Sequence, residues 1–165
     1  MENFVKYSFY LRDLNLDLEN IKNKTGEGFN NEIIYIINCF SGIKANGGFS
    51  VYPSGNLDFS LGSRILRVFR NSDRSAIFVV TLGKGYNEIS ERYRGDPLLY
   101  YLTDIIASEF TELAADYIHS KIAEYASGLS LNYSNRYSPG YCGWNTAEQK
   151  IDRKSTRLNS SHGKL

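Results

Sequence analysis

The residues best equipped to hold a ligand lie close together between positions 135 and 144. Arg136 carries a planar guanidinium that is always charged and that matches the two oxygens of a carboxylate or a phosphate. Pro139-Gly140 predicts a tight turn, where the backbone can approach whatever the guanidinium holds. The aromatic rings that could wall an apolar slot belong to Tyr137, Tyr141 and Trp144. The segment indicates a small-molecule site, and an ordinary surface turn whose rings pack on the core is the alternative.

A second candidate for chemistry is an acidic line on a predicted long helix. Ser108, Glu112 and Asp116 are spaced four residues apart, so they share one line on a helix, and Glu109 lies beside Ser108. Like charges at this spacing cost about 0.2 to 0.5 kcal/mol unless a cation lies nearby. The pattern predicts a basic partner, and the alternative is a solvated acidic face with Lys121 or a distant arginine as counter-ion.

The long helix has clear signals at both ends. Asp96 is the predicted N-cap, Pro97 occupies the first helical position, and Gly128 is placed to end the helix after about Ser127. Its buried stripe is predicted to consist of Leu102, Ile106, Phe110, Leu113, Tyr117, Ile122 and Tyr125. Such a stripe is typical of packing against a core.

Shorter elements are predicted before the long helix. They are a strand at Tyr7–Leu11, a helix from a cap at Asn30 or Asn31 to Gly42, a hairpin over 47–59 and a short helix over 63–69. The helix that begins near Asn30 has an apolar stripe made of Ile33, Ile36, Ile37 and Phe40. Ala76–Leu82 is apolar and rich in β-branched residues, which is typical of a strand buried on both faces.

Gly83-Lys84-Gly85 follows this last strand directly. Its two glycines would suit a loop that cradles a phosphate, but the remaining spacing of such a motif and a following Lys-Ser or Lys-Thr pair are missing. A tight turn from the strand into a helix is the favoured interpretation.

Composition disfavours several classes of function. The 165 residues carry a formal net charge of +1, and the first 151 carry −2 once the charged residues of the last segment are set aside. Those residues are Asp152, Arg153, Lys154, Arg157 and Lys164. A chain with so small a net charge lacks the excess of basic residues that is typical of proteins that bind nucleic acid or an anionic membrane. No leader pattern and no run of about 18 apolar residues is present, so a cytoplasmic protein is expected.

The two cysteines do not predict a metal site. Cys39 and Cys142 lie far apart in the sequence, which fits a reducing compartment better than a disulfide framework. With one credible histidine they cannot assemble a zinc site. Cys39 lies in an apolar stripe and is predicted to be core, and Cys142 is predicted to be structural because no histidine is near it in the sequence.

Residues 152–165 differ in character from the rest of the chain. The run from Asp152 to His162 corresponds to one reading frame of a common DNA-sequencing adapter, and it holds too few apolar side chains to fold. We therefore expect 152–165 to be a non-native tail and the genuine sequence to stop at Ile151, inside the start of a helix. Residues 1–151 are expected to form one incomplete domain.

The run Asn-Arg-Tyr-Ser-Pro-Gly-Tyr-Cys-Gly-Trp at 135–144 resembles a known signature. It is similar to the Arg-x-x-x-Gly-Tyr motif of the S-adenosylmethionine-binding activation domain of cobalamin-dependent methionine synthase, in its short stand-alone bacterial form. Asp104 to Asp116 resembles the helix motif of that family, with Ala107 in place of the usual glycine. Ser75 to Gly83 resembles a strand of the family. The similarity covers about Phe9 to Ile151, without the closing strands of the family.

The resemblance implies an α+β fold, with a mixed or antiparallel sheet flanked by helices and one long helix in the second half. It implies that S-adenosylmethionine is bound by Glu112, Arg136, Ser138, Gly140 and Tyr141. Its carboxylate would lie on Arg136 and its cationic end near Glu112.

The resemblance also implies a partner. The methyl group would pass to oxidised cobalamin carried by methionine synthase or another corrinoid protein, while a flavodoxin-like donor reduces the cobalt. The alternative is a module that senses S-adenosylmethionine, or docks on a corrinoid protein, without catalysing transfer.

Overall fold

The computed structural model describes residues 4–53, 67, 69–140 and 144–145. An antiparallel sheet in the order β1-β2-β3 is formed by β1 (Val5–Tyr10), β2 (Lys44–Pro53) and β3 (Arg74–Thr81). The α-helices that accompany it are α1 (Leu18–Thr25), α2 (Asn30–Phe40), α3 (Lys84–Arg92) and α4 (Pro97–Gly128). Short 3-10 turns lie at Leu11–Asp13 and Glu27–Phe29. The predicted α+β fold with one long helix is confirmed.

The first strand is joined to the second by bonds near the start of β2. The Leu11 amide donates to the Ile43 carbonyl at 3.0 Å. The Ser8 hydroxyl donates to the Asn46 side-chain oxygen at 3.0 Å. These bonds fix the register of β1 against β2, because a slip of one residue would break both and turn the apolar side chains to the wrong face.

The prediction that Ala76–Leu82 is buried on both faces is wrong. Ser75 and Leu82 are buried, whereas Val79 is 39% exposed. The sheet is antiparallel, and such sheets commonly leave one face in solvent, whereas the prediction assumed a strand covered on both faces. The central strand β2 holds the buried run instead, over residues 48–51.

Helix α2 keeps its predicted buried face but not its predicted cap. Ile33, Ile36 and Phe40 are buried as the spacing predicts. Asn30, one of the two predicted caps, is the first residue inside the helix. Phe29 occupies the cap position, and no side chain caps the helix there.

Helix α4 begins as the sequence predicts. The Asp96 carboxylate accepts from the amides of Leu98 and Leu99 at 3.1 and 3.0 Å, which satisfies donors that have no partner inside the helix. Pro97 is the first helical residue, where its lack of an amide proton costs nothing.

The buried face of α4 departs from the predicted stripe after Phe110. The buried side chains along this face are Leu102, Thr103, Ile106, Ala107, Phe110, Ala114, Ile118 and Ala126. The burial continues in steps of four to Ala114 and Ile118. The remaining members of the predicted stripe are only half-buried: Leu113, Tyr117, Ile122 and Tyr125. None of the helices in the described ranges is long and apolar enough to cross a membrane.

Several sequence predictions fall on parts that the structure does not describe. The second half of the predicted hairpin lies outside the described residues. So does most of the helix predicted over 63–69, of which residues 67 and 69 are helical; the next residue, 70, is helical as well. The tail at 152–165 also lies outside them.

The chain divides into two compact units. The first comprises Met1–Val5, Phe49–Phe78 and Ile122–Leu165, and the second comprises Lys6–Gly48 and Val79–Lys121. In the first unit the rings of Phe49 and Tyr125 meet edge to face, with centroids 5.8 Å apart. In the second unit Phe40 stacks on Phe110 at 5.5 Å. Each unit therefore has aromatic packing of its own.

Gly47 allows α4 to come close to the sheet within the second unit. A Cβ atom at this position would lie 2.8 Å from Ile118 Cγ1 and 3.0 Å from the backbone oxygen of Val79. Ile118 is fully buried, and a backbone oxygen in a sheet cannot move aside cheaply. The packing of α4 on β2 and β3 therefore requires glycine here.

We expect Gly47→Ala to lower the free energy of unfolding by about 1 to 3 kcal/mol, because the added methyl group overpacks this contact. The measurement is urea denaturation of both proteins. Gly42→Ala is the matched control, since a Cβ there would meet nothing within 4 Å. An equal loss in the two variants would contradict the steric explanation.

Candidate functional site

The end of α4 determines where the Arg136 segment starts. The Leu131 amide donates to the Ala126 carbonyl at 2.9 Å, and the Ser130 amide donates to the Ser127 carbonyl at 3.0 Å. Ser130 has a φ of 57°, in the left-handed region. Together these features form a Schellman motif with Ser130 in the position that glycine usually occupies. The helix therefore ends at Gly128, one residue later than the sequence predicted.

The segment from 131 to 138 has no regular secondary structure. Arg136 and Tyr137 are half-buried within it, and Ser138 is exposed. Half-burial keeps the guanidinium within reach of solvent while limiting the directions in which its side chain can point. An arginine in this position is suited to hold an anionic group.

The predicted turn at Pro139-Gly140 is confirmed. Gly140 has a φ of 105°, which side chains with a Cβ rarely adopt, so the turn depends on glycine. Its amide donates to the Trp144 carbonyl at 2.8 Å, which closes the loop between them. Tyr141 and Cys142 lie outside the described residues, so the predicted role of Tyr141 stays a prediction.

Beside the acidic line of α4, Glu109 has a direct contact with another helix. Glu109 accepts from the Asn20 side chain at 2.7 Å and from the Lys24 ammonium, and both partners lie on α1. Its side chain is only 15% exposed. This contact joins α1 to α4 through Glu109. The basic partner predicted for Glu112 and Asp116 stays a prediction.

The acidic line itself consists of Ser108, Glu112 and Asp116. The Ser108 hydroxyl donates to the Asp104 carbonyl one turn earlier at 2.9 Å. Glu112 and Asp116 are exposed on the helix surface. Of the two charged residues predicted to bind S-adenosylmethionine, Glu112 lies in the second unit and Arg136 lies in the first.

Sequence reasoning missed a polar cluster between α2 and the end of α3. The Tyr93 hydroxyl donates to the Tyr35 hydroxyl at 2.9 Å and lies 3.5 Å from Cys39 Sγ. Tyr93 is 7% exposed, and its burial, together with the hydrogen bonds to Cys39 and Tyr35, raises the pKa of its hydroxyl well above the usual value. Cys39 is half-buried, so its prediction as a core residue is wrong.

Helical spacing could not have found this cluster. Tyr35 is 52% exposed and lies off the apolar stripe of α2, and Tyr93 is 58 positions away in the sequence. Within the described ranges, no group of three or more His, Cys, Asp or Glu side chains is arranged to hold a metal ion.

Comparison with known proteins assigns no family to this chain. No protein-family model matches it, and no curated protein sequence matches it. The similarity of residues 135–144 to the activation-domain signature therefore stays a prediction from the sequence.

We expect Ser130→Gly to raise the free energy of unfolding by about 1 kcal/mol, because glycine adopts the left-handed conformation without the penalty that a Cβ incurs. Thermal and urea denaturation would measure the change. Ser127→Gly, one turn inside the same helix, is the control and should lower stability by a few tenths of a kcal/mol or more. A loss of stability in Ser130→Gly would contradict the assignment of the helix end.

Proposed function

We propose that this chain binds S-adenosylmethionine and presents its methyl group for reductive methylation of cobalamin on a partner corrinoid protein. The observation that carries the proposal is the turn at Pro139-Gly140, which follows the half-buried Arg136 by three residues. The literal similarity of 135–144 to the activation-domain signature supplies the identity of the ligand. Methionine synthase is the partner that this similarity favours.

The charges of the ligand have matching side chains in the chain. The carboxylate of S-adenosylmethionine suits the guanidinium of Arg136, which can donate two parallel hydrogen bonds to it. The similarity to the activation domain assigns its ammonium and sulfonium to Glu112, which is exposed on α4. Backbone at Gly140 and the hydroxyl of Ser138 would complete the polar contacts, and Tyr141 would supply an aromatic face for the sulfonium.

The chemistry would need positioning more than acid-base catalysis. The methyl group of a sulfonium is already activated, so transfer to a nucleophile is a displacement at carbon that requires no general base. Reduced cobalamin on the partner would supply the nucleophile. The task of this chain is then to hold the ligand by its amino-acid end, so that the methyl group points toward the partner.

We expect wild-type protein to bind S-adenosylmethionine and Arg136→Ala to bind it at least about tenfold more weakly, because a charge-assisted pair is lost. Isothermal titration calorimetry would measure both affinities. Arg94→Ala is the matched control, since it removes the same charge from an exposed i,i+3 pair with Glu91. Unchanged affinity in Arg136→Ala would contradict the site.

Gly140→Ala tests the turn separately from the charge. The substitution keeps the guanidinium and adds a Cβ at a φ of 105°, so it should weaken the same binding without altering the net charge. Circular dichroism of the variant would show whether the helices are retained.

We expect the protein to support methylation of cobalamin-loaded methionine synthase when S-adenosylmethionine and a reductant are supplied. The absorption spectrum of the corrinoid, which changes on methylation, is the measurement. Stable binding of the partner without methyl transfer would favour the alternative, a docking or sensing module. Arg136→Ala should abolish the transfer while leaving binding of the partner measurable.

A further inference from the structure

A cleft of about 350 Å³ lies in the second unit, between the end of α2, the start of β2 and the start of α3. Its apolar surface comes from Ile43, Leu82 and Ile89, which are all buried. This volume is at the lower end of the range for small-molecule sites. None of the residues predicted to bind S-adenosylmethionine lines it.

The charges around the cleft are unbalanced. Lys44, Lys84 and Arg92 line it together with one acidic residue, Glu88, so the local charge is +2. Among the residues that the structure describes, none of the three cations forms an ion pair with a carboxylate. Three like charges around one cavity raise the local positive potential, which favours an anion of matching charge.

The backbone at the start of α3 adds donors to these charges. No side chain caps this helix, and its first turn contains no acidic residue. Lys84 and Gly85, which begin the helix, both line the cleft. Amides in a first turn lack partners inside their helix and carry the positive end of its dipole.

Gly85 brings these amides close to the apolar floor. A Cβ atom at this position would lie 2.9 Å from Ile43 Cγ1, so only glycine fits without displacing Ile43. The Gly83 amide is held by the Thr81 hydroxyl at 3.0 Å, which fixes the turn that enters the helix. The helix start, the two lysines and the apolar floor thus line the same open cleft.

We propose that this cleft binds the phosphate group of a small phosphate monoester. A phosphate dianion carries the charge that offsets +2, and its three terminal oxygens can accept from lysine ammonium groups, the Arg92 guanidinium and backbone amides together. A carboxylate offers one charge and two oxygens, which matches fewer of these donors. The apolar floor formed by Ile43, Leu82 and Ile89 would contact the organic part of the ester.

Phenyl phosphate is a suitable probe, and calorimetry at constant ionic strength is the measurement. We expect saturable binding to the wild-type chain, weakened at least about fivefold in Lys84→Gln and in Lys44→Gln. Lys6→Gln is the matched control, because Lys6 is exposed on β1 and does not line the cleft. Benzenesulfonate, a monoanion of similar shape, should bind more weakly than phenyl phosphate.

Glu88→Gln gives a test in the opposite direction. It removes the negative charge from the cleft and should tighten binding of phenyl phosphate, a gain that a damaged fold would not produce. Absence of saturable binding, equal weakening in Lys6→Gln, or weaker binding in Glu88→Gln would each overturn the proposal. Competition with S-adenosylmethionine would also overturn it, because the proposed sites share no residue.

Discussion

The close approach of α4 to β2 and β3 at Gly47 is the constraint on which the second unit depends. Ile118 of α4 and the Val79 carbonyl oxygen both lie within 3.0 Å of the place that a Cβ atom would take here. Along the same helix, Phe110 stacks on Phe40 of α2. Glu109 contacts α1, while Glu112 and Asp116 are exposed.

Features that depend on a few neighbouring residues could be predicted from the sequence. Asp96 and Pro97 start the long helix because one carboxylate and one missing amide proton suffice to set its first turn. The turn at Pro139-Gly140 is equally local, since proline fixes one dihedral angle and glycine permits the next.

Features that depend on distant partners could not be predicted in this way. The apolar run at 76–82 is compatible with a strand covered on one face or on both, and in the antiparallel sheet of this protein Val79 is exposed. The buried face of α4 continues through Ala114 and Ile118, and Ile118 packs where Gly47 of β2 leaves room for it, which spacing cannot reveal. The turn at Pro139-Gly140 in the candidate site was predicted. The contact of Glu109 with Lys24 could not be, because it joins residues 85 positions apart in the sequence.

The phosphate cleft shows the same limit. Lys44 comes from β2 and Lys84 and Arg92 come from α3, so no contiguous motif brings the three cations together. The only local signal was Gly83-Lys84-Gly85, and its spacing is not that of a phosphate-binding loop.

The steric relation between positions 85 and 43 has a consequence for natural variation. Since a methyl group at 85 would occupy the place of an Ile43 side-chain carbon, relatives with alanine at 85 should carry a smaller residue, such as valine or alanine, at 43. Covariation of these two positions among related sequences would then reflect the contact between α3 and the start of β2.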